Sequence, residues 1–136
     1  MEYRYLAKTI VRNKKGLYLV LRRSATDSDS PGRADLPGGG IDEDENPHEA
    51  AIREAVEEAG LDIDNDSLQL RYAFTKHKED KVIVRYLYRA QIDDQVVALS
   101  HEHDLFWWVD RAEFVARFVD TSWGEAVSFL DDNNLL

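Results

Sequence analysis

Tyr3, Tyr5, Ala7, Thr9 and Val11 alternate with Arg4, Lys8 and Arg12, a period of two that predicts a strand with one apolar and one polar side. Asn13-Lys14-Lys15-Gly16 is a turn, and Leu17-Tyr18-Leu19-Val20-Leu21 reads as a buried strand ending at Arg22-Arg23. The polar stretch from Ser24 to Arg33, with Pro31-Gly32, predicts a loop. A helix is expected over Pro47–Ala59. Asn46 is a good N-cap, Pro47 suits the first helical position, Glu49 can close a capping box, and Gly60 supplies the stop. Leu68 to Lys78 and Val82 to Gln91 predict a hairpin turning at Glu79-Asp80. A strand at Leu105–Val109, a helix over Arg111–Val119 and a last helix over Ser122–Asp131 complete the pattern, which is that of an α/β fold.

At 136 residues the chain has the length of one domain, so residues 1–136 are read as one unit. It has no cysteine, which excludes disulfides, thiolate metal sites and cysteine nucleophiles. No apolar run approaches the roughly 18 residues that span a bilayer, and the first residues lack the layout of a signal peptide. The expectation is a cytoplasmic protein that works away from membranes.

Charge changes the picture more. Lys and Arg number 17 against 27 Asp and Glu, a net −10 that argues against a protein whose main task is gripping a nucleic-acid polymer. Between Ile41 and Asp64 ten acids face one base, Arg53, so this window carries −9 of the total. On the predicted helix, Ile52, Ala55, Val56 and Ala59 share the side expected to pack on a sheet, and Glu54, Glu57 and Glu58 share the other. Like charges at i,i+3 and i,i+4 repel, and acids in a last helical turn oppose the helix dipole. A hard divalent cation such as Mg²⁺ or Mn²⁺ reverses both effects; the alternative is a solvated acidic face. Upstream, Leu36-Pro37-Gly38-Gly39-Gly40 permits close approach of backbone to a ligand, though a triple glycine can equally be a turn.

The spacing is specific when taken together. Gly39, five residues, Glu45, seven residues, then Arg53-Glu54-Ala55-Val56-Glu57-Glu58-Ala59-Gly60-Leu61 resembles the Nudix box at every fixed position. The surrounding order from Tyr3 to Phe114 is similar to that family too, including Glu102 followed by Trp107-Trp108-Val109. The resemblance implies a Nudix α/β/α sandwich with a central mixed sheet, and Mg²⁺-dependent hydrolysis of a diphosphate linkage in a nucleoside diphosphate derivative.

The resemblance also implies roles. Glu54, Glu57 and Glu58 would hold Mg²⁺ (or Mn²⁺) with the Gly38 carbonyl, and Arg53 would hold the carboxylates in place or simply pair with Glu49 or Glu57. Glu45 is either a supporting acid or loop charge. The catalytic base is Glu54 or Glu102, the latter also a metal-ligand candidate. His101 and His103, beside Glu102, are read as loop residues rather than zinc ligands. Arg22 and Arg23 are substrate-binding candidates with Gly39, although strand alternation lets only one of the two arginines face a site. Tyr3, Tyr5, Phe74 and Tyr86 are expected in the core rather than stacked on a base, and Trp107 and Trp108 as structural anchors.

The three prolines, Pro31, Pro37 and Pro47, leave none after the box, which weakens ADP-ribose and NADH as substrates, and the lack of cysteine excludes an isopentenyl-diphosphate isomerase. The favoured substrate is a nucleoside triphosphate, oxidised guanine nucleotides included, cleaved to monophosphate and pyrophosphate. Dinucleoside polyphosphates, with Tyr86 and Tyr88 as their only support, other nucleoside diphosphate derivatives, or a non-catalytic nucleotide sensor are the alternatives. A monomer or a homodimer is compatible with the pattern.

Overall fold

The structure is a computed structural model that describes residues 1–27 and 30–136. Strands β1 (Glu2–Arg12), β2 (Tyr18–Arg23), β3 (Ala34–Asp35), β4 (Gly38–Gly40), β5 (Gln69–Lys78), β6 (Lys81–Gln91) and β7 (His103–Val109) form a mixed sheet. Its order is β3-β2-β1-β6-β5, with β4 added to β1 and β7 to β2; β1 and β6 run parallel and the other pairs antiparallel. Helix α1 (Pro47–Ala59) covers one face, and α2 (Arg111–Phe118) and α3 (Gly124–Asp132) the other. The expected mixed α/β sandwich is what the chain forms.

Two cores flank the sheet. Ala7, Val11, Leu19 and Leu21 meet Ala51, Ala55 and Ala59 of α1, while Ile10, Val20 and Leu87 meet Phe114, Phe118 and Val127. Because both faces are covered, the middle of β1 is buried on both sides, Lys8 included at 5% exposure. The two-sided alternation read from the sequence therefore does not appear in β1: Glu2–Tyr5, which pack in neither core, are exposed throughout, and Ala7–Val11 are buried throughout. Tyr3 and Tyr5, expected in the core, are exposed for the same reason. Trp107 packs against the α2/α3 core, and Trp108 against the α1 core.

Helix α1 has the expected bounds and capping: Asn46 accepts from the Glu49 amide, Glu49 answers the Asn46 amide, and Gly60 closes it in the left-handed region. Its buried face differs from the expected one. Val56 is 53% exposed, whereas Glu58 is buried beside Ala51, Ala55 and Ala59. Small alanines let the helix lie close to β1 and β4, and that rotation turns Glu58 inward.

The predicted polar loop holds β3 at its end; of that loop, Ser28 and Asp29 lie outside the described residues. The glycine run is a strand, β4, not a free turn: Gly38, Gly39 and Gly40 pair with Lys8, Ala7 and Leu6. Gly38 has φ +143°, and a Cβ there would lie 2.2 Å from the Ala7 carbonyl oxygen, so only glycine fits.

Candidate active site

The glycine strand and α1 enclose a cavity of about 440 Å³ lined by Gly38–Gly40, Glu54, Glu57, Glu58, Ser100, His101 and Glu102. Residues more than forty positions apart in the chain thus converge. The segment after β6 explains how. Ala98 and Ser100 donate their amides to the Ala59 and Glu58 carbonyls at 2.9 and 3.0 Å, so this segment occupies the open end of α1 and carries Glu102 to the site.

Glu58 sits at the back. Its Oε1 accepts from the Gly38 amide at 2.8 Å, and its Oε2 lies 3.6 Å from Nδ1 of His103. Burial pushes its carboxyl up to about 8, with Lys8 pulling the other way and the neighbouring Glu102 adding to the rise. Glu54 lies against Gly39, where a Cβ would come within 3.0 Å of its carboxylate. Burial also raises the Glu54 carboxyl above its ordinary value, against the pull of Arg53. Glu57 stays on the exposed side of the cavity.

Arg53 ties this wall together. Nε and Nη2 grip Glu45 at 2.7 and 2.8 Å, Nη1 reaches Glu54 and Glu57 at 3.1 and 3.0 Å, and Nη2 also donates to the Gly40 carbonyl at 3.0 Å. Glu45 is therefore engaged rather than loose loop charge: the hydrogen bonds from Arg53 hold its carboxyl down to about 2, and it also accepts from the Asp42 amide.

Behind Glu58 lies a buried network that the sequence did not reveal. His103, expected in a loop, is the buried first residue of β7, and its Nε2 is 2.9 Å from Asp35 Oδ2. Asp35 also takes Lys8 Nζ at 3.1 Å and Arg23 Nη1 at 3.1 Å. Burial would raise the Asp35 carboxyl, but Lys8, His103 and Arg23 together hold it well below the usual carboxylate range. A register shift between Arg22 and Arg23, where β2 pairs with β7, separates the two arginines. Arg23 turns toward Asp35, whereas Arg22 is held outside the cavity by Asp104 at 2.8 and 2.9 Å. The signal available in the sequence was His103 itself, one residue after Glu102.

The donor set suits a hard cation. Atoms of Glu58, Glu102 and His103 lie within 4.8 Å of one another, Nδ1 of His103 is buried without a hydrogen-bond partner among the described residues, and burial disfavours the charged form of Glu58.

A NUDIX domain is matched across residues 3–128. The crystal structure of a MutT protein from Methanosarcina mazei Go1 superposes with a TM-score of 0.85 at 25% identity, covering 98% of this chain and 96% of that one. An RNA pyrophosphohydrolase of Cereibacter sphaeroides is 30% identical over 88% of this chain and 83% of its own length. An 8-oxo-dGTP diphosphatase of Escherichia coli is 35% identical over 51% of this chain and 54% of its own length. The match to an RNA pyrophosphohydrolase of Bartonella tribocorum, 45% identical, spans 38% of that protein. The acid-lined cavity, drawn from residues 38–102, lies wholly within the matched domain, and the fold is that of the MutT structure. The chain belongs to the Nudix family. Among the described residues no helix is long and apolar enough to cross a membrane.

Proposed function

We propose that this chain hydrolyses a nucleoside triphosphate to the monophosphate and pyrophosphate in the cytoplasm, with Mg²⁺ held at the acidic cavity. The observation that carries this reading is the convergence of Glu54, Glu57, Glu58 and Glu102 on one side of the cavity opposite the glycine strand. Glu57, Glu58 and Glu102 would hold the ion with the Gly38 carbonyl, and Mn²⁺ has the same donor preferences. The ion, when bound, neutralises phosphate oxygens and lowers the pKa of water.

The residues of the chain do the rest. Glu54 is the general base, because burial raises its affinity for a proton and it faces the cavity beside Gly39. Arg53 fixes the orientation of Glu54 and Glu57. Gly39 lets substrate approach the strand backbone, and Arg23 presents positive charge at the adjoining rim. Both an RNA pyrophosphohydrolase and an 8-oxo-dGTP diphosphatase stand among the relatives, so the reaction class has support from two differently named proteins.

The test is Mg²⁺-dependent product release over canonical and oxidised triphosphates, dinucleoside polyphosphates, ADP-ribose, NADH and nucleotide sugars, with Glu57→Gln as the control. Turnover of triphosphates that disappears in the variant is expected. Binding without turnover of any compound would make the chain a nucleotide sensor.

A further inference from the structure

A second cavity of about 910 Å³ adjoins the acidic one and shares Gly38, Gly39, Glu58 and Glu102 with it. Its floor is the sheet face that carries Arg4 and Lys8 on β1, Ile83 and Arg85 on β6, and Lys76 and Lys78 on β5. Eight Lys and Arg side chains line it against four carboxylates, the reverse of a chain with net charge −10.

The cations fall into two groups. Near the glutamates, Lys8 and Arg23 are paired with Asp35. Further along, Lys76, Lys78 and Arg85 form no ion pair with any described carboxylate. Lys81 lies opposite Glu2, whose carboxylate is bonded by Arg4. The turn acids Glu79 and Asp80 do not line the cavity.

Arg85 is the most telling of these residues. It is 7% exposed, donates from Nη1 to the Ser122 carbonyl and hydroxyl at 3.1 and 3.0 Å, and lies 4.5 Å from the centre of the Trp123 ring. Among the described residues its Nε has no hydrogen-bond partner. The carboxylate whose charge reaches it, Asp35, is already bonded by Lys8, Arg23 and His103, so this desolvated guanidinium has no ion pair of its own and an anion arriving from outside would be favoured beside it.

Position along the groove decides which anion. Lys8 pairs with Gly38 at the acidic end, and Glu2, six residues back along β1, pairs with Lys81, a run of about 20 Å at strand rise. A mononucleotide held by its phosphates at the glutamates presents only neutral sugar and base toward the far end. A dinucleoside polyphosphate does the same, since its outer ends are nucleosides. Phosphate on the 3′ side of the first nucleoside is the chemistry that matches cations there.

We propose that this groove binds the 5′-terminal segment of an oligonucleotide, with Arg85, Lys76, Lys78 and Lys81 meeting its phosphodiesters, so that the substrate is a 5′-triphosphorylated nucleic-acid end. The assignment rests on the pyrophosphohydrolase reading. In the reaction, water bonds to the α-phosphorus, its proton passes to Glu54, the bond to the bridging oxygen breaks, and pyrophosphate leaves a 5′-monophosphate end. The acidity of the chain as a whole is no bar, because a groove acts through its local field.

Two measurements test this, with a variant carrying Lys76→Gln, Lys78→Gln and Lys81→Gln beside the native chain and circular dichroism to show that both are folded. The first is fluorescence anisotropy of a 3′-labelled 5′-monophosphate tetranucleotide and of the labelled mononucleotide, in EDTA and across a salt series. The native chain should bind the tetranucleotide roughly tenfold tighter, and the slope of log K against log salt should fall by about 2 in the variant. The second is kcat/KM with Mg²⁺ for a guanosine triphosphate and for the tetranucleotide carrying the same 5′-triphosphate. The native chain should favour the tetranucleotide, and in the variant that advantage should disappear.

Equal binding and equal kcat/KM for the two lengths would overturn the groove assignment while leaving the hydrolase reading intact. Lysine-dependent binding by a native chain that hydrolyses neither compound would overturn the hydrolase reading and the substrate assignment with it.

Discussion

Glu58 Oε1 accepts the Gly38 amide at 2.8 Å, a single hydrogen bond that joins the last turn of α1 to the glycine strand. It aligns the two walls of the acidic cavity, because Gly38 is fixed by its pairing with Lys8 and Glu58 by its burial. Substituting Gly38 with alanine should break this alignment. A Cβ there would lie 2.2 Å from the Ala7 carbonyl oxygen and 2.5 Å from Lys8 Cα, both backbone atoms that cannot step aside. Gly38→Ala should cost on the order of 1–3 kcal/mol or more in urea denaturation and abolish turnover. Gly40→Ala, where a Cβ meets nothing within 4 Å, should stay within about 0.5 kcal/mol of the native chain.

Arg53 spreads its donors over Glu45, Glu54, Glu57 and the Gly40 carbonyl. A lysine keeps the charge but replaces the planar fork with a point donor. Arg53→Lys should therefore weaken Mg²⁺ activation and lower kcat by roughly tenfold or more while leaving the far-ultraviolet circular dichroism unchanged. A titration of activity against Mg²⁺ concentration reads both effects, and native-like activation would show that the carboxylates do not need this fork.

Without metal, burial holds the Glu58 carboxyl up at about 8. A carboxylate with a raised folded-state pKa contributes stability that is present below its ordinary pKa and is lost as pH rises through the folded value. The metal-free chain should therefore lose stability between about pH 4.5 and 8 on account of this group. A divalent ion needs the ionised form, so the increase in Tm on adding Mg²⁺ should grow with pH up to about 8. Chelation by EDTA should reverse it, and Glu58→Gln should flatten the pH dependence. A Tm increment that is constant over that range would contradict this account.

Asp35 behaves in the opposite sense. Burial disfavours its charge, but Lys8, His103 and Arg23 outweigh that and depress its pKa. A depressed carboxylate contributes stability that is present above its ordinary value and lost as pH falls through the folded one. Asp35→Asn should destabilise the chain by about 3–5 kcal/mol near pH 7, since it leaves Lys8 buried without its counter-charge. The gap between variant and native chain should narrow below about pH 4, in denaturation curves at pH 7 and pH 3.

Two neighbours on α1 separate the observed packing from the periodicity of the sequence. Val56 is 53% exposed and Ala55 only 1%. Val56→Lys should change stability by no more than about 0.5 kcal/mol. Ala55→Leu should cost about 1–3 kcal/mol by overpacking against β1, measured by the same denaturation. Equal tolerance at both positions would mean that the helix is not seated as described.

Much of this was legible in the order of residues. The bounds of α1, its cap, the hairpin of β5 and β6 and the glutamate set all rest on local rules: spacing, capping and turn chemistry act between residues a few positions apart. The spacing from Gly39 to Leu61 also named the family that the whole-chain comparison shows. What could not be read locally is which neighbour each face would meet. Helices on both sides of the sheet bury Lys8 in a strand whose alternation looked half-exposed, and close alanine packing turns Glu58 inward in place of Val56. Glu102 reaches α1 only because the segment after β6 bonds to the end of that helix, and His103 meets Asp35 only through the pairing of β2 with β3 and β7. Net charge is silent on arrangement for a related reason. It is a sum over the chain, whereas the fold gathers the acids on α1 and sets cations from β1, β5 and β6 along one groove, and a ligand responds to that arrangement rather than to the total.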